Sequence, residues 1–132
     1  MKKAFICLIC TMLFALLLPG CENDDFATNA YKTLKSADIT YVAVMESVAQ
    51  AQAKGIITDA QREVINVKAH IYVDAFRAAA TALYTWQVSR EAKDKAAVLQ
   101  GITESVDAVK NLVVSAASYG ISINSKVAEV LK

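Results

Sequence analysis

Proline occurs once in this chain, at Pro19, and glycine only at Gly20, Gly55, Gly101 and Gly120. So little turn chemistry excludes a protein of many short strands, which needs Gly, Pro, Asn and Asp at its hairpins. Cysteine is confined to Cys7, Cys10 and Cys21, so no disulfide framework staples the rest of the chain. A single histidine, His70, leaves the many Ser and Thr hydroxyls one imidazole to draw on as a base. The 14 basic and 13 acidic side chains nearly balance, and no cationic excess marks a nucleic-acid binder. There is no Gly-rich phosphate loop, nucleophile elbow, internal repeat or low-complexity segment.

What is there begins with Met1-Lys2-Lys3, a short basic start, followed by a run from Ala4 to Leu18 without a charge. A charged start, an apolar stretch and a small residue before a cut form the secretory signal pattern. The run falls short of the ~20 apolar residues that a membrane-crossing helix needs. Pro19-Gly20 follows at once, a pair expected to break a helix rather than extend it.

Leu18-Pro19-Gly20-Cys21 resembles the lipobox of bacterial lipoproteins. Leu18 sits three before the cysteine and Gly20 directly before it, as in that family. Pro19 departs from the Ala, Ser, Gly or Thr usual at its position. The resemblance implies that residues 1–20 are a signal peptide cut between Gly20 and Cys21. It implies too that the Cys21 thiol carries diacylglycerol and that its new amine is acylated. Stable anchoring takes two or more membrane signals, each buried CH₂ contributing about 0.8 kcal/mol, and a multiply acylated cysteine meets that need. Cys7 and Cys10 form a C-x-x-C, but both lie in the apolar stretch and would leave with it. The residue after Cys21 is Glu22; by resemblance to enterobacterial lipoproteins, where Asp there favours inner-membrane retention, it leans towards the outer membrane, facing the periplasm. The expected address is the bacterial cell envelope.

Glu22-Asn23-Asp24-Asp25 is polar and acidic and reads, with Cys21, as a short tether over 21–25. From there the periodicity predicts helices. Over about 26–54, Ala30, Leu34, Ala37, Tyr41, Val44, Val48 and Ala51 form one apolar stripe, which Tyr31 and Met45 widen. Gly55 suits a left-handed cap, with Ile56 supplying the accompanying apolar contact. Thr58-Asp59-Ala60-Gln61 reads as a capping box opening a helix over about 59–89. Its stripe is Ile65, Ala69, Tyr72, Phe76, Ala79, Leu83 and Trp86; a second stripe, Val64, Val67, Ile71, Ala75, Ala78 and Ala82, lies beside it. This wide apolar arc predicts the central helix of the fold, touching both neighbours. The charged run 90–95 predicts a turn with Asp94 as N-cap, although a helix continuous from Asp59 to Tyr119 remains the alternative. A third helix over about 95–119 carries Leu99, Ile102, Val106, Val109, Val113 and Ala116, with Gly101 marking a close helix contact. Ile121-Ser122-Ile123-Asn124-Ser125 alternates apolar and polar residues and is placed across the bundle end, and a short helix over about 126–131 follows through Val127, Val130 and Leu131. The expected fold is all-α: an antiparallel three-helix bundle over 26–132 with a short C-terminal helical segment, after an N-terminal signal helix.

Chemistry is sparse. Glu63, His70 and Asp74 can be drawn as metal ligands on one helix, but a solvated face with His70–Asp74 and Asp74–Arg77 pairs reads better. Tyr31, Tyr41, Tyr72, Phe76, Tyr84 and Trp86 could line a ligand groove. Core packing is the better reading for Tyr41, Tyr72, Phe76 and Trp86, and exposure for Tyr84. No catalytic residue, metal site or cofactor beyond the covalent lipid on Cys21 is expected, and an enzyme is the least supported class. Two functions lead, with a helical oligomer, residues 59–119 forming one long hairpin arm, as a third. One is a membrane-tethered interaction or structural module with an envelope protein partner. The other is a lipoprotein holding a small apolar or aromatic ligand between its helices. A solid core with an exposed apolar patch favours the first, and a cleft of about 300 Å³ or more favours the second.

Overall fold

The computed structural model describes residues 18–123, and these form three α-helices. α1 spans Leu18–Ala53, α2 Asp59–Ser89 and α3 Ala92–Ser118, with no strand among the described residues. The chain is an all-α bundle. The short helix expected over 126–131 and the signal segment before Leu18 lie outside the described residues.

α1 starts earlier than the apolar periodicity predicts. Residues 21–25, expected as a tether, have helical backbone, and Pro19-Gly20 lies inside the first turn of α1. A first-turn proline costs little, because the N–H it lacks has no intrahelical partner there. The stripe behaves as read: Ala30, Leu34, Ala37, Val44, Val48 and Ala51 are buried. Tyr31, expected to widen it, is 60 % exposed, whereas Met45 packs against the core.

The end of the bundle where α1 and α3 finish and α2 begins is closed by local chemistry. At Gly55 (φ +69°) the Ile56 N–H donates to the Ala51 carbonyl and the Gly55 N–H to that of Gln52, a paired arrangement that satisfies the last carbonyls of α1. Ile56 does not make the apolar contact expected of it. Ile57 does, at 5 % exposure, because one more residue of turn is needed to aim a side chain back into the core. The same pair of bonds recurs at Gly120 (φ +78°), from Ile121 to Ala116 and from Gly120 to Ala117. Here the following residue, Ile121, is buried and Ile123 packs beside it, as expected for a segment across the bundle end. Thr58 caps α2 with both bonds of the capping box: its Oγ1 accepts from the Gln61 N–H and its N–H donates to Gln61 Oε1.

α2 and α3 are separate helices joined through Arg90 and Glu91, so the continuous-helix alternative does not hold. The break rests on Arg90, the one non-glycine residue with positive φ (57°) among those described. Glu91, not Asp94, occupies the N-cap of α3, without a side-chain cap bond. Asp94 sits a turn inside and accepts a hydrogen bond from Ser89 Oγ, which in turn accepts from the Glu91 N–H. α2 and α3 pack closest to one another, and α1 lies against both at greater backbone separation.

Candidate functional site

The α2–α3 seam is built from small residues. A Cβ added at Gly101 would stand 2.8 Å from Ala79 Cα, so the two backbones meet at a distance only glycine permits. The close contact expected at Gly101 is thus made, and it rotates α3. The buried positions are Val98, Gly101, Ser105, Ala108, Val109, Leu112 and Ala116, whereas Leu99 of the predicted stripe is 52 % exposed and Ile102, Val106 and Val113 are half-buried. Large side chains move to the flank so that small ones can occupy the narrow seam.

Aromatic side chains hold α1. Tyr41 stacks on Tyr72 with ring centres 4.7 Å apart, Tyr72 lies 5.8 Å from Phe76, and Phe26 meets Trp86 edge-on at 4.7 Å. Tyr72 and Trp86 are fully buried and belong to the core, as expected, whereas Phe76 is half-buried and also lines a groove between α1 and α2. The Tyr72 hydroxyl and Ser105 Oγ are buried with no hydrogen-bond partner. Burial, and then the neighbouring Asp38 and Tyr41, raise the Tyr72 phenol above its ordinary range. By contrast the fully buried Thr40 donates its hydroxyl to the Ser36 carbonyl within its own helix at 2.9 Å.

Two surfaces remain as candidate sites. The first is the outer face of α2. Of its second apolar stripe, expected to be covered, Ala75 and Ala82 pack against the core, yet Val64, Val67 and Ile71 are 44 %, 51 % and 52 % exposed. α1 and α3 both dock on the Ile65-to-Trp86 stripe, so α2 is not buried on its wide arc. The uncovered face continues through Ala78, Thr81 and Thr85 to Val88, all exposed. Thr81, Thr85 and Val88 went unnoticed in the sequence, although they prolong the three-and-four spacing of Val64, Val67 and Ile71. Beside Ala78 this face dips into a groove of about 500 Å³, bounded by Ala82 and by Asp94 and Ala97 of α3.

The second is an open groove of about 320 Å³ between α1 and α2. Leu34, Phe76 and Leu83 line it, Tyr31 and Tyr84 stand exposed at its sides, and Lys35, Asp38 and Gln87 supply polar groups. The exposure expected of Tyr84 is observed, and Tyr31 joins it there.

His70, Glu63 and Asp74 are all exposed, and no group of three metal-ligating side chains occurs among the described residues. The His70–Asp74 and Asp74–Arg77 pairs expected on this face are not made; the ion pairs among the described residues are Arg90–Asp24 and Lys93–Glu91. Helical side chains splay outwards in water, and little is gained by pairing them at full exposure. Cys21 falls within the first turns of α1, at the end of the bundle where Phe26 meets Trp86 and Arg90 lies over the Trp86 ring at 4.9 Å. No described helix is long and apolar enough to cross a membrane.

Comparison of the chain with protein families, curated proteins and solved structures finds no match in any of the three, so the site stands on its own geometry.

Proposed function

We propose that this protein is a lipoprotein of the bacterial cell envelope, anchored through lipid on Cys21, whose helical bundle works as a non-catalytic interaction or structural module. The observation that carries the reading is an apolar face left open on a bundle with a filled core: Val64, Val67 and Ile71 are about half exposed, while the stripe beside them is packed away. An apolar stripe uncovered on a well-packed domain marks a surface for a partner. The anchor follows from Leu18-Pro19-Gly20-Cys21 at the end of a short uncharged run. In this reading Cys21 becomes the first residue, the signal peptide 1–20 is lost, and the outer membrane, facing the periplasm, is the preferred address because Glu22 follows the cysteine. α1 then begins almost at the lipid, so little slack separates bundle and bilayer. The partner is an envelope protein or a second copy of the chain, with no part for nucleic acid.

Intact mass and acyl labelling of the expressed protein test the anchor, comparing wild type with Cys21→Ser. The expected result is loss of residues 1–20 and gain of lipid mass in wild type alone, with wild type in the membrane fraction. An unlipidated wild type overturns the reading, with Pro19 as the residue to replace first.

A second reading has its own support. The α1–α2 groove, at about 320 Å³, matches the volume of small-ligand sites and combines apolar floor, aromatic sides and a few polar groups. In that reading the lipoprotein binds a small apolar or aromatic molecule between its helices. Titration with an aromatic dye such as anilinonaphthalene sulfonate separates the two: a saturable site abolished by Tyr84→Ala supports the groove, and unsaturable weak binding removes it.

A further inference from the structure

We infer that the outer face of α2 is a self-association surface, and that a second copy of this chain packs on it, α2 against α2, in antiparallel orientation about a two-fold axis near residue 76. The inference rests on the proposal that this face is an interaction surface. It does not rest on the lipid anchor.

The face has the pattern of a helix–helix seam. Val64, Val67, Ile71, Ala78, Thr85 and Val88 recur at the three-and-four spacing that keeps one line of side chains towards a partner helix. All are exposed, Val88 at 72 %. Bulky residues occupy the two ends and small ones the middle. Reversing one copy therefore sets Val64 opposite Val88 and Ile71 opposite Thr81 of the other copy. The small middle, where the surface dips beside Ala78, lets the two helices approach closely.

Charge decides the orientation. Asp74 is the one charged residue in the line, and Arg77 flanks it. Both are exposed, and neither belongs to an ion pair among the described residues. With a two-fold axis near residue 76, Asp74 of each copy comes beside Arg77 of the other, and the pair forms twice by symmetry. A parallel arrangement instead sets Asp74 against Asp74, a like-charge contact that disfavours it. Antiparallel packing also puts the two α1 N-termini at opposite ends of the pair. A dimer held by lipid on both copies therefore lies along the bilayer instead of standing on it.

The test uses the full chain in detergent, with short bis-maleimide crosslinking of Val64→Cys and Val88→Cys made singly, and the unaltered protein as background for its native cysteines. These sites are exposed, so neither substitution disturbs the core. The expected result is a crosslinked dimer when the two variants are mixed and none above background from either alone, since like positions stand roughly 36 Å apart along the seam. Crosslinking of Val64→Cys to itself overturns the orientation, and crosslinking in neither case overturns the surface. Sedimentation then measures affinity. Ile71→Glu is expected to weaken the dimer at least ~100-fold with unchanged helical circular dichroism, because it desolvates an unpaired charge in the seam. Asp74→Arg is expected to weaken it at least ~10-fold, with recovery in Asp74→Arg/Arg77→Asp. An effect of Ile71→Glu below twofold, or no recovery in the charge swap, overturns the proposal. A monomer that is still lipidated and membrane-bound removes self-association alone and leaves the anchored module standing.

Discussion

α2 meets its two neighbours in different ways. Against α3 it presents Ala79 to Gly101, and the contact is so close that a single methyl would collide with backbone. Against α1 it presents rings, with Tyr72 on Tyr41 and Trp86 on Phe26, and the backbones stand further apart. The first seam gains dispersion from proximity and has no room for more atoms. The second gains area from large side chains and suffers when atoms are removed. One helix thus combines two kinds of packing, vulnerable to opposite substitutions.

The aromatic seam should show the largest loss. Trp86→Ala is expected to cost about 3–5 kcal/mol, measured by urea unfolding, since the ring is buried, braces Phe26 and carries the Arg90 guanidinium. The close seam should break by addition. Gly101→Val is expected to cost about 1–3 kcal/mol, and more than Gly101→Ala, which regains up to ~1 kcal/mol of helix propensity. Ala79→Gly should rescue Gly101→Ala only in part, because the nearest atom is Ala79 Cα and not its methyl. Full rescue, or a neutral Gly101→Val, would show that the seam has slack.

A smaller effect reports on the unpartnered hydroxyl between the rings. The folded state raises the Tyr72 phenol above its ordinary value of 10.0 through burial and the nearby Asp38. The unfolded chain therefore loses this proton first as pH rises. Its contribution is fully present below pH 10 and is lost above it, by up to ~1.4 kcal/mol per pH unit. Tyr72→Phe should remove that share of the alkaline slope and, at pH 7, stabilise by about 1 kcal/mol, because the hydroxyl is buried with no partner. A destabilised variant at pH 7 would mean that the hydroxyl is bonded in solution. The smallest contrast lies at the connection of the two seams. Arg90 holds a left-handed backbone, so Arg90→Gly should exceed Arg90→Ala in stability by about 1 kcal/mol, both having lost the contact with Trp86. Equal stabilities would place the strain elsewhere.

Much of the architecture was legible in the chain. Thr58 and Gln61 bound α2 through a capping box, Gly55 and Gly120 ended helices, and the Ile65-to-Trp86 stripe faced inwards, because each of these signals acts within a turn or two of backbone. The start of α1 was not legible, since periodicity marks buried faces and residues 18–25 precede the stripe. The outer face of α2 was misread for a related reason: Val64, Val67 and Ile71 look like core by type and spacing, and only the count of neighbours says whether a partner covers them. The groove between Tyr31 and Tyr84 joins residues distant in sequence; their type made them candidates for a groove, but no local pattern separates them from the rings that pack into the core.

By itself the sequence determined the apolar stripes, the capping box that opens α2, the glycine stops at Gly55 and Gly120 and the lipobox-like stretch from Leu18 to Cys21, because propensity, period and short motifs are local properties. The tertiary structure alone decided that Gly101 meets Ala79, that α3 turns its small residues inwards, and that one apolar stripe of α2 is packed while its neighbour faces water. Those outcomes depend on which surfaces compete for the same neighbours. That competition is settled by volume and distance in three dimensions.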